Sequence, residues 1–407
     1  MRISTAHSFD SSIENLQKRQ SEMSQSQMQL TSGKRVNQAS DDPIAAARAE
    51  RALATISRGE ANQRALDASR NVMQLSESSI GDAVSLLQTA RESMVAAGNG
   101  SYTDKERQNL AIRLKEIRNQ LLSIANRPDG GGGFVFGGQG SSSPPFVDAP
   151  GGVQFVGQGG QVQASAGEAL NLTVDGDLTW LKAKTGNGVY VTNPASGNTG
   201  AGWISSGSIS APSLLQYPAA PNATPPQYTV NFTVSAGVTT YSVLKDGSPT
   251  ALNNVAYQSG KAIDIDGMSF SISGQPADTD TFTIDQASNN LSVFDALDSA
   301  ISSLNTANLN SGQVSQTVNR GLSNLDSVLA NVQAARSAVG ESLNRMDGIE
   351  DRISSSKLAA QNERSAAEDL DMVEGISKFQ NQQSSYEAAL KSYAMVQKLT
   401  LFQYING

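Results

Sequence analysis

Two hydrophobic rhythms divide the chain. From Phe9 a 4-3 spacing picks out Ile13, Leu16, Gln20, Met23, Gln27 and Leu30. From Leu66 a seven-residue repeat gives Met73, Ile80, Leu87 and Met94, with the small residues Ser69, Ser76, Ala83, Ala90 and Ala97 at the companion position. A third run is Leu110, Leu114, Ile117, Leu121 and Ile124. The spacing returns in Val318, Leu322, Leu325, Leu329, Val332, Arg336, Val339, Leu343 and Met346, and again in Met372, Ile376, Phe379, Gln383, Tyr386, Leu390 and Tyr393. Sustained 4-3 spacing marks helices that bury a narrow seam against one another. Both flanks are therefore predicted to be long helices, and the small companion residues would let two of them approach closely. Between the flanks the period drops to two. Residues 227–234, 239–244, 263–272 and 281–284 alternate apolar and polar, as half-buried strands do. Asp246-Gly247 and Asp266-Gly267 are hairpin-turn dipeptides.

Start and stop signals agree with this division. Asp42 can cap a helix whose first residue is Pro43, where the missing N–H costs nothing. Thr103 and Glu106 fit a capping box ahead of the Leu110 run, and Pro128, Asp129 and Gly130 to Gly133 end it. A continuous helix over 43–98 would span roughly 80 Å. Eleven of the 13 prolines lie from Pro144 to Pro276, and no arginine occurs between Arg127 and Arg320. Both tryptophans, Trp180 and Trp203, fall in the same middle stretch. The prediction is a mainly α protein with a β domain inserted at 142–290. The flanks return to form a long antiparallel coiled coil, since each exposes a seam that needs a partner. Residues 1–43 with 360–407 form the terminal coiled coil, and 44–141 with 291–359 an inner helical rod.

Composition narrows the class. Aromatics are 5% and hydrophobic residues 38%, which suits helices burying thin seams, or a chain that finishes folding in an assembly. The amides at Gln20, Gln27 and Gln383 weaken a simple dry core, so the terminal seams are expected to be completed by neighbouring copies. A net charge of −8 argues against nucleic acid as a partner, because phosphate binding needs a basic face. With no Cys there are no disulfides and no thiolate metal sites. The first thirty residues are polar, without the apolar stretch of a secretory signal. No run is long enough to span a bilayer, so no membrane partner is expected.

Chemistry is scarce. His7 is the only histidine, so a Ser/His/Asp triad or a histidine metal site would have to be built on it. Asp264, Asp266, Asp278 and Asp280 miss the calcium-loop spacing, and two of them are explained by their Asp-Gly turns. Gly130 to Gly133 follow a helix and lack the Lys-Ser/Thr of a phosphate loop, so they are expected to be a flexible linker. No catalytic, cofactor or metal site is assigned.

Several segments carry a resemblance. The start Met1-Arg2-Ile3-Ser4-Thr5 with Phe9 resembles the opening of flagellar hook-filament junction proteins, the third hook-associated protein. Residues 29–37, QLTSGKRVN, and 40–48, SDDPIAAAR, are similar to the signature of that family and its flagellin relatives. Phe134-Val135-Phe136-Gly137-Gly138 resembles the family's turn after the third helix, and residues 272–282 resemble a β-domain motif of hook-associated proteins. The end, Leu399-Thr400-Leu401-Phe402-Gln403-Tyr404-Ile405, is similar to the family's terminus, which more often has Ser at position 400 and Asp at 403.

The resemblance implies a structural subunit and not an enzyme. Both ends would pair as a coiled coil lining a tube. Copies would form a ring, with hook-associated protein 1 on the hook side and flagellin on the filament side. Export would use the flagellar type III apparatus without cleavage, after a secretion chaperone has held the C-terminal helix. The implied assembly residues are Phe9, Ile13, Leu16, Met23 and Leu30, then Lys34, Arg35, Asp41 and Asp42. In the C-terminal segment they are Phe379, Tyr386, Leu390, Tyr393, Leu399, Leu401 and Phe402. Two rival readings are flagellin itself and a surface adhesin carried on a flagellin-like scaffold.

Overall fold

A computed structural model of the protein describes residues 5–160, 163–165, 169–220 and 223–405. The side chains of residues 5–9, 163–165, 169 and 396–405 lie outside the described set, and with them those of His7, Phe9, Leu399, Leu401 and Phe402. The chain forms two compact units, residues 1–64 with 348–407 and residues 65–347. Two long helices, α2 (Pro43–Ala97) and α6 (Ser311–Glu368), contribute to both.

In the first unit α1 (Thr5–Ser32) packs antiparallel to α7 (Met372–Ile405). Ile13, Leu16, Met23 and Leu30 are half-buried, as are Phe379, Tyr386 and Tyr393. The seam does not run through the amides. Gln20, Gln27 and Gln383 are exposed, and the smaller Ser26 is buried instead. What α2, α6 and the turn before α2 bury in this unit is small: Val36, Ala45, Ala49 and Ala367 in one cluster, Ala52, Ile56 and Ala360 in another. Hydrophobic stabilisation scales with apolar area, so alanine-sized contacts leave this unit lightly held.

The second unit reads as the seven-residue repeat requires. Leu66, Met73, Ile80, Leu87 and Met94 are at most 1% exposed, and all five small companions are fully buried. On α6, Val318, Leu325, Val332, Val339 and Met346 are buried, with Leu322, Leu329 and Leu343 half-buried beside them. Arg336 leaves the seam and donates to Glu77 at 2.9 Å. Arg70 pairs with Asp347 at 2.8 Å and Arg91 with Asp326 at 2.7 Å.

Helix α3 (Asp104–Ala125) begins in the predicted capping box, where the Thr103 hydroxyl accepts from the Glu106 amide and the Glu106 carboxylate accepts from the Thr103 amide. The glycine tract after it is a folded turn and not a flexible linker. One Asp129 oxygen accepts from Gly131 N at 2.7 Å and Gly133 N at 2.9 Å.

The middle holds fourteen strands among the described residues. β1 (Phe146–Ala149) and β2 (Gly152–Phe155) form a hairpin, and β3 (Gln163–Ser165) pairs with β4 (Ala169–Asn171). After the one-turn helix α4 (Gly176–Trp180) come β5 (Tyr190–Pro194), β6 (Trp203–Ile204) and β7 (Ser208–Ile209). Next are β8 (Tyr228–Ser235), β9 (Val238–Lys245), β10 (Ser248–Pro249), β11 (Val255–Ala256), β12 (Ala262–Ile265), β13 (Met268–Ser273) and β14 (Thr281–Gln286). One antiparallel sheet has the order β10-β9-β8-β14-β5, with β11 also on β9; the other runs β12-β13-β6, with β7 also on β13. A shared core of Tyr190, Tyr228, Val230, Phe232, Phe270, Ile272, Phe282 and Ile284 is at most 2% exposed. Both predicted Asp-Gly dipeptides turn hairpins with both residues at positive φ, Asp246 at 50° with Gly247 at 76° and Asp266 at 45° with Gly267 at 81°. These are the left-handed conformations of a type I′ turn.

Two of the four aspartates that miss the calcium-loop spacing hold local structure. Asp280 is buried and accepts from Thr199 N, Gly200 N and Ala277 N. Asp266 accepts from the Tyr228 hydroxyl at 2.6 Å and pairs with Lys245 at 2.7 Å. No cluster of metal-binding side chains occurs among the described residues.

Helix α5 (Val293–Asn305) returns the chain to α3, capped by Ser292, whose hydroxyl accepts from Phe294 N at 3.0 Å. Buried Arg118 of α3 ties it down, reaching Asp298 of α5 at 2.7 Å and both oxygens of Asp148 at 2.7 and 2.8 Å. The guanidinium hydrogen bonds hold the Asp148 carboxyl below the usual range.

The start of α6 carries one sharp prediction. A Cβ at Gly312 would lie 2.1 Å from the Ala201 carbonyl oxygen, which belongs to rigid backbone. Alanine normally favours a helix over glycine by up to about 1 kcal/mol. Here Gly312→Ala is expected to lower the thermal midpoint, because main chain must move to admit the methyl. A higher midpoint on calorimetry would show that the contact is not as tight as the structure has it.

Candidate assembly surface

The turn between α1 and α2 folds onto the turn between α6 and α7. Arg35 N donates to Glu368 O at 2.7 Å, and Leu370 N to Gly33 O at 3.0 Å. Lys34 reaches Glu368 at 3.2 Å, a carboxylate it shares with Arg364 at 2.8 Å. The Arg35 guanidinium donates to Asp42 at 3.1 Å and to Ala367 O at 2.8 Å. Asp41 accepts from Asn37 N at 3.0 Å and Gln38 N at 2.9 Å. All four charges expected at subunit contacts thus have partners inside the chain, which fix the path of residues 33–42.

Asp42 caps α2 as its sequence position suggested, accepting from Ile44 N at 3.1 Å and Ala45 N at 3.0 Å. The Ala45 amide, with help from Arg35, holds its carboxyl below the usual range. A carboxyl depressed in the folded state contributes stability that is full above its unfolded value, about 3.9. That contribution disappears as the pH falls through the lower folded value. Asp42→Asn is therefore expected to speed amide exchange at Ile44 and Ala45 at neutral pH, with the difference from wild type closing in acid. A gap independent of pH would remove the charge from the account.

Exposed apolar side chains are concentrated in the first unit. Eighteen large hydrophobic side chains are exposed among the described residues. Nine of them belong to the first unit, which holds under a third of the chain: Met28, Ile44, Leu53, Leu358, Met372, Val373, Ile376, Leu390 and Met395. Val373 is 78% exposed, Ile44 69% and Met395 62%. Of the expected assembly residues with described side chains, Leu390 is open at 43%, and the other apolar ones are half-covered by the α1–α7 pairing. Val373, Ile44 and Met395 lie off the 4-3 spacing, so the periodicity pointed away from them. No helix is long and apolar enough to cross a membrane among the described residues.

The chain thus has N- and C-terminal helices that pair with each other and that flank a β-rich middle in the sequence. The model of the bacterial flagellin N-terminal helical region matches residues 3–141, and that of the flagellin C-terminal helical region residues 322–405, together over half of the chain. The chain belongs to the flagellin family. Within that family it is similar to flagellar hook-associated protein 3 of Escherichia coli, at 25% identity over 99% of each chain. The Salmonella typhimurium protein of that name is 36% identical over 37% of this chain and 48% of its own length. The crystal structure of the flagellar junction protein FlgL from Legionella pneumophila superposes with a TM-score of 0.68 at 26% identity, covering 79% of this chain and all of that one.

Proposed function

We propose that this chain is the structural adaptor that joins the hook of the bacterial flagellum to its filament. The observation that carries this is the end-to-end similarity to hook-associated protein 3, which includes the β-rich middle as well as the flanks. Its work is interface geometry and not bond chemistry: apolar area on the terminal helices, covered when copies meet. Residues 1–43 with 360–407 make the contacts between copies, 44–141 with 291–359 support them, and 142–290 are the inserted β-rich region. Copies form a ring. Hook-associated protein 1 lies on the hook side and flagellin on the filament side, and a secretion chaperone holds the C-terminal helix before export. The protein works outside the cell, at the hook-filament junction. It leaves by the flagellar type III route, directed by its polar, Ser- and Gln-rich N-terminal segment, which stays on the chain.

Electron microscopy of a deletion strain tests the junction role. Hooks without filaments, with flagellin released into the medium, are the expected result. A strain that keeps its filaments would rule the junction role out, and one that lacks filaments and releases no flagellin would point to the filament subunit. Deleting residues 2–30 tests the export reading, which fails if the shortened chain still reaches the medium in full amount.

A further inference from the structure

The sequence contains three Asn-Gly pairs, of which Asn99-Gly100 and Asn187-Gly188 are described and Asn406-Gly407 lies outside the described residues. We propose that Asn99 is a site of spontaneous deamidation, and that the fold protects Asn187 from the same reaction. The chemistry needs no other reactant than water. The nitrogen of the following residue attacks the side-chain carbonyl carbon and forms a ring N–C bond, with negative charge gathering on Oδ1. The C–N bond to the side-chain amide then breaks, and ammonia leaves with the proton given up by the attacking nitrogen. Water opens the resulting succinimide at either carbonyl, leaving Asp or its β-linked isomer.

Three features of the α2–α3 turn favour this at Asn99. The Gly100 amide finds no acceptor among the described residues, so the nucleophile is free. A side chain at Gly100 would meet nothing within 4 Å, so approach to Asn99 is open. Asn99 Oδ1 accepts from Ser101 N at 3.1 Å and Ser101 Oγ at 2.9 Å, two donors aimed at the atom where charge develops. Asn99 is also exposed to the water that completes the reaction.

Asn187 is exposed as well and shares the third feature, and a side chain at Gly188 would meet only Lys184 Cδ at 3.6 Å, so the difference between the two sites lies in their hydrogen bonds. Asn187 Oδ1 accepts from Val189 N at 3.1 Å and Tyr190 N at 3.0 Å. Its Nδ2, however, donates to Ser206 O and Gly207 O at 3.3 and 3.4 Å, which holds the amide plane in place. The Gly188 amide is engaged too, donating to Thr185 O at 3.1 Å. Attack there first requires breaking these bonds, whereas attack at Asn99 does not. A subunit that persists after synthesis would therefore gather an extra carboxylate, and in part an extra main-chain methylene, at the turn between α2 and α3. The fraction converted would record its age.

The experiment is peptide mapping by mass spectrometry of the purified full-length chain, incubated at neutral and at mildly alkaline pH. In the folded protein Asn99 should convert on the order of tenfold faster than Asn187, the factor that breaking one or two hydrogen bonds imposes. The rate should rise with pH. In concentrated urea the two sites should convert alike, since both are Asn-Gly. Ser101→Ala should slow Asn99 about fivefold, the effect of one net hydrogen bond, and Gly100→Ala should nearly stop it. Equal rates in the folded chain would overturn the proposal. So would a gap that survives in urea, because the cause would then be neighbouring sequence and not the fold, or a Ser101→Ala variant that reacts as fast as wild type.

Discussion

A strain whose only copy of this protein carries Leu390→Asp should build hooks, release flagellin into the medium and fail to swim, while the purified variant melts with the wild-type chain. Leu390 is 43% exposed on α7, so in the single chain an aspartate there keeps much of its hydration. Once the proposed contacts between copies close over it, the same carboxylate loses water without gaining a partner. Burying an unpaired charge costs several kcal/mol. Repeated in every copy of a ring, that is enough to dissolve the junction. Ile80→Asp is the matched opposite. Ile80 is fully buried in the seven-residue repeat of α2, so the variant should lose its helical signal before any question of assembly arises. Circular dichroism of both proteins beside a motility assay separates the two outcomes. Normal swimming by the Leu390 variant would end the assembly role of α7 at this position, and loss of helix in that variant would make Leu390 part of the chain's own core.

The seven-residue repeat of α2 was fully legible because both of its positions are covered within one chain. Leu66, Met73, Ile80, Leu87 and Met94 obey the spacing, as do the five small companions. The α1 and α7 seams were legible only in part. Spacing marks a face, but it does not say whether the same chain covers that face. Gln20, Gln27 and Gln383 satisfy the 4-3 count and are exposed, while Val373, Ile44 and Met395 violate it and are the widest-open apolar residues of their unit. Helix α5 was not read as a separate element, although Val293, Phe294, Leu297, Ala300 and Leu304 form a buried face behind the Ser292 cap. It follows the last strand by only a few residues, and a thirteen-residue helix offers few turns in which a period can show. β1 to β7 were missed for the same reason, being at most five residues long. Asp42 is seven residues from Arg35, but the other partners of Lys34 and Arg35 could not be read at all, since Glu368 and Ala367 lie more than 330 residues away.

Pairing of α2 with α6 in the second unit adds an arrangement that single charges do not reveal. Along α2 the signs run Arg70, Glu77, Arg91, and on α6 their partners are Asp347, Arg336 and Asp326. Each pair is exposed and contributes little by itself. Their alternation matters more, because sliding one helix by a heptad would bring Glu77 opposite Asp347 in one direction and Arg70 opposite Arg336 in the other. Like charges brought face to face penalise the slipped register. The apolar repeat alone, which looks the same after every seven residues, cannot choose between registers.

The largest loss of stability from a single truncation is expected at Trp180. The indole is fully buried where four segments of the second unit meet. Phe136, from the turn after α3, presents its edge at 5.4 Å and 89°; Phe146 of β1 lies at 6.4 Å; Phe294 of α5 stacks at 6.1 Å and 21°. Each aromatic partner comes from a different element, so the ring joins the helical layer to the first hairpin. Truncation of a buried tryptophan costs about 3–5 kcal/mol, the transfer term plus the cavity left behind. For a protein of this size that is a fall in melting temperature of roughly 10 °C. Trp203, the other tryptophan, is only half-buried on the two-residue strand β6, so Trp203→Ala should cost far less. Trp203→Phe also leaves Trp180 as the single indole, and its emission should be blue-shifted in the folded chain and move to the red in one step with the loss of far-UV signal. Denaturant unfolding of Trp180→Ala supplies the deciding number. A midpoint within experimental error of wild type would mean that the cluster fills space without holding the segments together, and red-shifted native emission from Trp180 would mean that water reaches a ring the fold should seal.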